Sequence, residues 1–324
     1  MRINTACIAA AALAVGATGA TTAQAQEELT LCWAAWDPAN ALVELSKDFT
    51  AETGIGMKFE FVPWPNFADR MLNELNSGGQ LCDLLIGDSQ WIGGGAENEH
   101  YVKLNDFFDA EGISMDDFAP ATVYAYSTWP KGTPNYYALP AMGDANAWFY
   151  RKDWFAKPEL REEFKATYGR ELEPPTTQLE LKDIAEFFQG RDIDGTTVYG
   201  AAIYTERGSE GITMGVTNAL YNYGFVYENP ANPYELDGYV NSAGAVEGLE
   251  FYKALYDCCT PPGSSDWYMS ENIDAYKSGQ VAMQMNFAFI WPGVHADPNV
   301  GGDRSGYFPN PAGPGGHFAQ LGGQ

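Results

Sequence analysis

The apolar positions alternate between two periods along the chain. Leu29-Thr-Leu-Cys-Trp33 is a short apolar run that predicts a buried strand ending at Trp36-Asp37-Pro38. Asn40 then stands as the cap of a helix carrying Leu42, Leu45 and Phe49, closed by Gly54. Met57, Phe59 and Phe61 alternate with Lys58 and Glu60 until Pro63, the pattern of a second strand. Asn66 opens a helix with Met71, Leu72 and Leu75, and Leu84-Leu-Ile86 predicts the third strand. Strand and helix in this order argue for a parallel α/β sheet.

The same logic continues. Tyr136 to Pro140 and Trp148 to Tyr150 are predicted strands, with a helix opening near Lys152-Asp153. The loop Glu173–Thr177 leads to a helix from Leu179 to Phe188, followed by a strand at Val198–Ile203. A helix from Ser242 to Tyr256 carries Val246, Leu249, Tyr252 and Tyr256 along one side. Val281 to Met285 is an alternating strand ending at Asn286. Asp192-x-Asp194-Gly195 begins like a calcium loop but lacks its distal glutamate, so it predicts a turn.

Ligands of open α/β sheets sit beyond the carboxyl ends of the strands. Here those ends carry Trp36-Asp37, Trp64 and Asp88-Ser-Gln90-Trp91. A tryptophan at each end is more than a core requires, and together they suggest an aromatic-lined cleft.

The first residues belong to another step. Arg2, the uncharged run from Ala6 to Ala23 and the exit Ala23-Gln-Ala25 read as an export signal cleaved after Ala25. Its most apolar part, Ala6–Val15, is too short to span a bilayer. Export makes the four remaining cysteines candidates for disulfides. Cys32 and Cys82, on the first and third predicted strands, are the favoured pair. Cys258 and Cys259 are then either a vicinal disulfide or two free thiols.

The 324 residues suggest about two domains. With 43 acidic against 18 basic residues, the net charge of −25 argues against nucleic acid or an anionic membrane as partner. There are three histidines and no His-Glu-x-x-His, Gly-x-Ser-x-Gly or phosphate loop, so no catalytic residue, metal or cofactor is assigned.

Several motifs in fixed order resemble the family 1 extracellular solute-binding proteins of ABC importers, especially the carbohydrate-binding ones. They are Asn135-Tyr-Tyr-Ala-Leu-Pro140, Asp144, Tyr150-Arg-Lys-Asp-Trp-Phe155, Pro174-Pro-Thr-Thr177, Asn241-Ser242 and Tyr276-Lys-Ser-Gly-Gln-Val-Ala-Met283. Gln178 stands where that family usually has tryptophan. The resemblance implies a periplasmic-binding-protein-like α/β fold, with two lobes, a hinge and an interlobe ligand cleft. It places the first lobe at 26–140, the second at 141–290 and a crossover back at 291–324, with a C-terminal remainder expected beyond Gln324. It also implies a monomer in the periplasm that takes a sugar or polyol and meets permease subunits.

Sugars present apolar C–H faces ringed by hydroxyls, which aromatic rings, carboxylates and amides can match. The candidate ligand residues are Trp36, Asp37, Trp64, Asp88, Gln90, Trp91, Asp144, Asn146, Trp267, Asn286 and Trp291. Two alternatives remain at this stage. One keeps the fold and takes a polyamine or other polar solute. The other is a secreted hydrolase using a pair from Asp37, Asp88 and Asp144.

Overall fold

The computed structural model describes residues 27–232, 234–318 and 321–323. The expected export signal lies outside the described residues. Contacts divide the chain into two units, one up to Leu85 and one from Ile86 onward.

In the first unit, β1 (Glu28–Ala34) is the central strand of a three-stranded parallel sheet in the order β2-β1-β3. β2 spans Gly56–Val62 and β3 is the short Leu84–Leu85. Between them run α1 (Asp37–Thr53) and α2 (Trp64–Asn76). The parallel arrangement agrees with the hydrophobic pattern; the helix starts do not. α1 begins at Asp37, not after Asn40, because Pro38 fits the first turn and Asp37 faces the positive helix end. α2 begins at Trp64, again with a proline in its first turn. The stripe Leu42, Leu45, Phe49 also departs from expectation. Leu45 is 65% and Phe49 38% exposed, and Ala39 is the buried residue of α1. Met71 and Phe67 of α2 supply the buried side chains instead. Cys32 and Cys82 are disulfide-bonded across this unit.

The second unit opens with α3 (Ile92–Glu97), α4 (Asn105–Glu111), α5 (Pro120–Thr122) and a π-helical turn at Val123–Ser127. Its sheet runs β5-β6-β7-β4-β8, with β9 also paired to β4. The strands are β4 (Gly143–Arg151), β5 (Arg191–Ile193), β6 (Thr196–Ala202), β7 (Val281–Phe287), β8 (Ser305–Pro309) and β9 (Leu321–Gly323). β6 and β7 are parallel, whereas β4 is antiparallel to β7, β8 and β9. The predicted strand at Tyr136–Pro140 is not one. Tyr136 makes a single bridge to Thr128, and regular pairing starts only at Gly143. The predicted turn at Asp192–Gly195 forms between β5 and β6, with Asp194 and Gly195 both at positive φ.

Helices cover both faces of this sheet. α6 (Lys152–Phe155), α7 (Pro158–Tyr168), α8 (Gln178–Phe188), α9 (Ser209–Asn222) and α10 (Ala243–Cys259) carry one core, centred on Trp154, Phe155, Phe164, Phe188 and Leu255. α11 (Met269–Lys277) and α12 (Trp291–His295) carry the other, around Phe149, Tyr276 and Val294. α8 starts with a reciprocal cap between Thr177 and Glu180. On α10 the buried stripe is Ala245, Gly248, Tyr252, Leu255 and Cys259, one step round from the expected face, so Val246 and Leu249 are half exposed. Cys258 and Cys259 form a vicinal disulfide at its end.

Gly200 of β6 lets α8 lie directly on the sheet, since a Cβ there would come within 2.1 Å of the Ala185 carbonyl oxygen. Backbone cannot swing aside as a side chain does. Gly200→Ala is therefore expected to lift α8 and cost about 1–3 kcal/mol, read as a lower denaturation midpoint. An unchanged midpoint would show that the helix shifts freely.

Candidate functional site

The first unit contributes an aromatic series. Trp36 caps α1 in extended backbone just past β1, and Trp64 opens α2 just past β2. Parallel pairing of β1 with β2 places these two strand ends side by side. The ring centroids of Trp36 and Trp64 lie 5.4 Å apart, edge to face, and Trp33 and Phe67 extend the series at either end. This T-shaped geometry is the favourable one for aromatic quadrupoles. The Trp64 indole N–H is buried and has no hydrogen-bond partner among the described residues. Asp37 is exposed in the first turn of α1. The expected clustering of Trp36, Asp37 and Trp64 at adjoining strand ends is thus present within this unit.

The second unit contributes a polar corner. Asp88 caps a 3-10 turn, its Oδ1 accepting from the Gln90 amide at 3.2 Å. Gln90 itself is exposed and Trp91 is buried. Two tyrosines that the strand-end reading did not include stand beside Asp88. Tyr126 donates from its hydroxyl to the Gly322 carbonyl at 2.8 Å, and Gly322 pairs with Asp144 across β4 and β9. Burial pushes the Tyr126 hydroxyl up to about 12, reinforced by the Asp88 and Asp144 carboxylates. Tyr101 is likewise raised to about 12, by burial first and by Asp88 second.

The clue to Tyr101 lay in the glycines. A Cβ on Gly95 would come within 2.2 Å of the Tyr101 ring, and one on Gly93 within 2.9 Å of the Trp129 ring. The run Gly93-Gly-Gly95 is where aromatic rings press on helix backbone.

Asp144 is tied down by backbone. Its Oδ1 accepts from the Ala145 amide at 2.7 Å and its Oδ2 from the Phe289 amide at 3.0 Å. Burial raises its pKa, and these amides oppose the rise. The carboxylate therefore joins β4 to the turn after β7 while facing Tyr126.

The remaining candidates separate. Asn286 is fully buried and saturated. Its Oδ1 accepts from the Tyr204 hydroxyl and the Phe287 amide, and its Nδ2 donates to Met269 and Gln284. Trp291 opens α12 two residues past the Phe289 amide that bonds Asp144, but its ring stacks on Phe149. Trp267 packs against the Tyr276 cluster, and its backbone is bonded to Thr205 and Glu206. Asn146 differs from these three. It is 2% exposed, and neither its Oδ1 nor its Nδ2 has a partner among the described residues.

No helix of the described residues is long and apolar enough to cross a membrane. Among them no cluster of three metal-ligating side chains occurs.

Known proteins share this architecture. A ribitol-bound ABC transporter solute-binding protein of Agrobacterium radiobacter aligns with a TM-score of 0.75 at 24% identity, over 92% of this chain and 70% of its own. The maltose-bound MalE3 of T. maritima aligns with a TM-score of 0.74 at 21% identity, over 91% and 70%. At such identities the likeness speaks for the periplasmic-binding-protein-like α/β fold. A putative binding protein of Brucella abortus is 25% identical over 84% of this chain and 59% of its own length. The chain thus spans about six-tenths of the length of the curated relatives it matches. Residues 35–324, nearly everything after the expected signal, match one family throughout, and the chain belongs to the bacterial extracellular solute-binding proteins.

Proposed function

We propose that this protein captures a carbohydrate, meaning a sugar, an oligosaccharide or a polyol, and delivers it to the permease subunits of an ABC importer. In this reading it is an exported, periplasmic binding protein with no catalytic step. Two lobes close on the ligand by hinge bending.

The observation that carries the reading is the tryptophan series ending in Trp64. Its edge-to-face rings present apolar surface at the carboxyl ends of two parallel strands. A buried indole N–H without a partner is costly unless something accepts from it. A sugar satisfies both features, with a C–H face for the rings and a hydroxyl oxygen for the N–H. The second unit, taken by itself, carries an acceptor in Asp88 and an unpartnered two-way amide in Asn146, groups of the kind hydroxyls need. The ribitol and maltose held by the two structural relatives belong to the same chemical class.

The test is a titration of the full chain with ribitol, mannitol, maltose and spermidine, followed by calorimetry. Binding of a sugar or polyol is expected, and Trp64→Phe should weaken it about ten-fold, because phenylalanine keeps a ring but removes the donor. Binding of spermidine alone would replace the carbohydrate reading with a polyamine one.

A further inference from the structure

Tyr101 is placed as no purely structural tyrosine need be. Its ring rests on the backbone of Gly95, and its hydroxyl oxygen would lie 3.2 Å from a Cβ on Gly87, next to the Trp91 ring. Gly87 directly precedes Asp88. The hydroxyl is therefore delivered to the base of the Asp88 turn by two glycine contacts, one under the ring and one beside the oxygen. Among the described residues that hydroxyl makes no hydrogen bond, and the side chain is half-buried. Tyr126, its neighbour in this corner, uses its hydroxyl on Gly322 and is thereby occupied. Burial first and the Asp88 carboxylate second raise the Tyr101 hydroxyl, yet the two side chains share no hydrogen bond.

A phenol donor and a carboxylate acceptor held near each other but not bonded suit an oxygen that both accepts and donates. An alcohol is such a group, whereas an ammonium has no lone pair for the phenol. We infer that Tyr101 is a specificity-determining ligand residue: its hydroxyl donates to a ligand hydroxyl that in turn donates to Asp88. The inference rests on the carbohydrate reading and adds to it a residue that selects alcohols over ammonium groups. A site of this kind discriminates because the wrong ligand leaves its own polar groups unpaired.

The experiment compares the wild-type chain with Tyr101→Phe, using ribitol, mannitol and maltose as probes in calorimetry well below either unfolding midpoint. For the probe that binds wild type, Tyr101→Phe is expected to weaken binding about ten-fold. The ligand-free unfolding midpoint should stay within experimental error, a readout that separates ligand contact from packing. Gly95→Ala, which would push the ring off its seat, is expected to weaken the same probe while retaining the hydroxyl. Equal affinity of wild type and Tyr101→Phe overturns the inference and leaves the carbohydrate reading standing. Failure of wild type to bind any of the three overturns that reading, and the inference with it.

Discussion

Phe188→Ala is expected to destabilise the second unit by about 3–5 kcal/mol, the usual cost of deleting a fully buried phenylalanine. Phe188 is the hub of an aromatic cluster. It stacks on Phe155 at 5.5 Å, meets Phe187 edge-on at 5.2 Å and lies 6.3 Å from Trp154. Phe187 in turn meets Phe164, and Phe155 meets Tyr150 of β4. Removing the central ring costs its transfer from water and leaves a cavity that rigid neighbouring rings cannot fill. Urea denaturation followed by near-ultraviolet dichroism would show the loss as a lower midpoint at unchanged slope. Phe188→Leu, which retains most of the volume, should recover more than half. A loss below about 1 kcal/mol for the alanine variant would mean the cluster collapses inward, contrary to a close-packed interior.

The second large effect concerns the Cys32–Cys82 disulfide. The bond closes a loop across a sequence separation of 50 residues, and chain entropy alone gives such a cross-link about 4 kcal/mol. That figure matters because the unit it serves is small. Units of about 60 residues bury too little surface for a wide stability margin. The two cysteines tie the central strand to the segment entering β3, which is only two residues long. The double variant Cys32→Ala, Cys82→Ser leaves the vicinal pair untouched. It is expected to unfold the first unit at much lower denaturant while the second unit's transition stays in place. Tryptophan fluorescence would report this, since Trp33, Trp36 and Trp64 all lie in the first unit. Coincident loss of both transitions, or no loss at all, would contradict the assignment.

Element type was readable wherever a local rule acted alone. The strand periods of β1 and β2, the helix after the loop ending at Thr177 and the turn at Asp194-Gly195 depend on residues within a few positions of each other. Errors arose where packing chose between local options. The α10 sequence offers apolar residues on two adjoining faces. The structure buries the one with Ala245 and Gly248, because small residues permit close approach to α9; a Cβ on Gly248 would sit 3.0 Å from Leu220. Tyr136–Pro140 has strand-like residues but meets no partner strand there beyond one bridge.

The site divides in the same way. The neighbourhood of Trp36 and Trp64 was legible because parallel topology sets the ends of β1 and β2 side by side, and that order is written in the sequence. Asn286 and Trp291 follow a similar pattern along the chain, yet one is saturated by Tyr204, Phe287, Met269 and Gln284 and the other stacks on Phe149. Periodicity cannot distinguish a polar residue that serves a ligand from one that serves its neighbours.

By itself, then, the sequence determined the alternating α/β order, the family and the aromatic character of the strand ends, all of which follow from short-range pattern and motif order. Only the tertiary structure decided which polar groups are already spoken for and which remain unpaired. Tyr101 and Tyr126 come to Asp88 and Asp144 through helix packing on glycine backbone and through β4-β9 pairing, contacts between segments far apart along the chain.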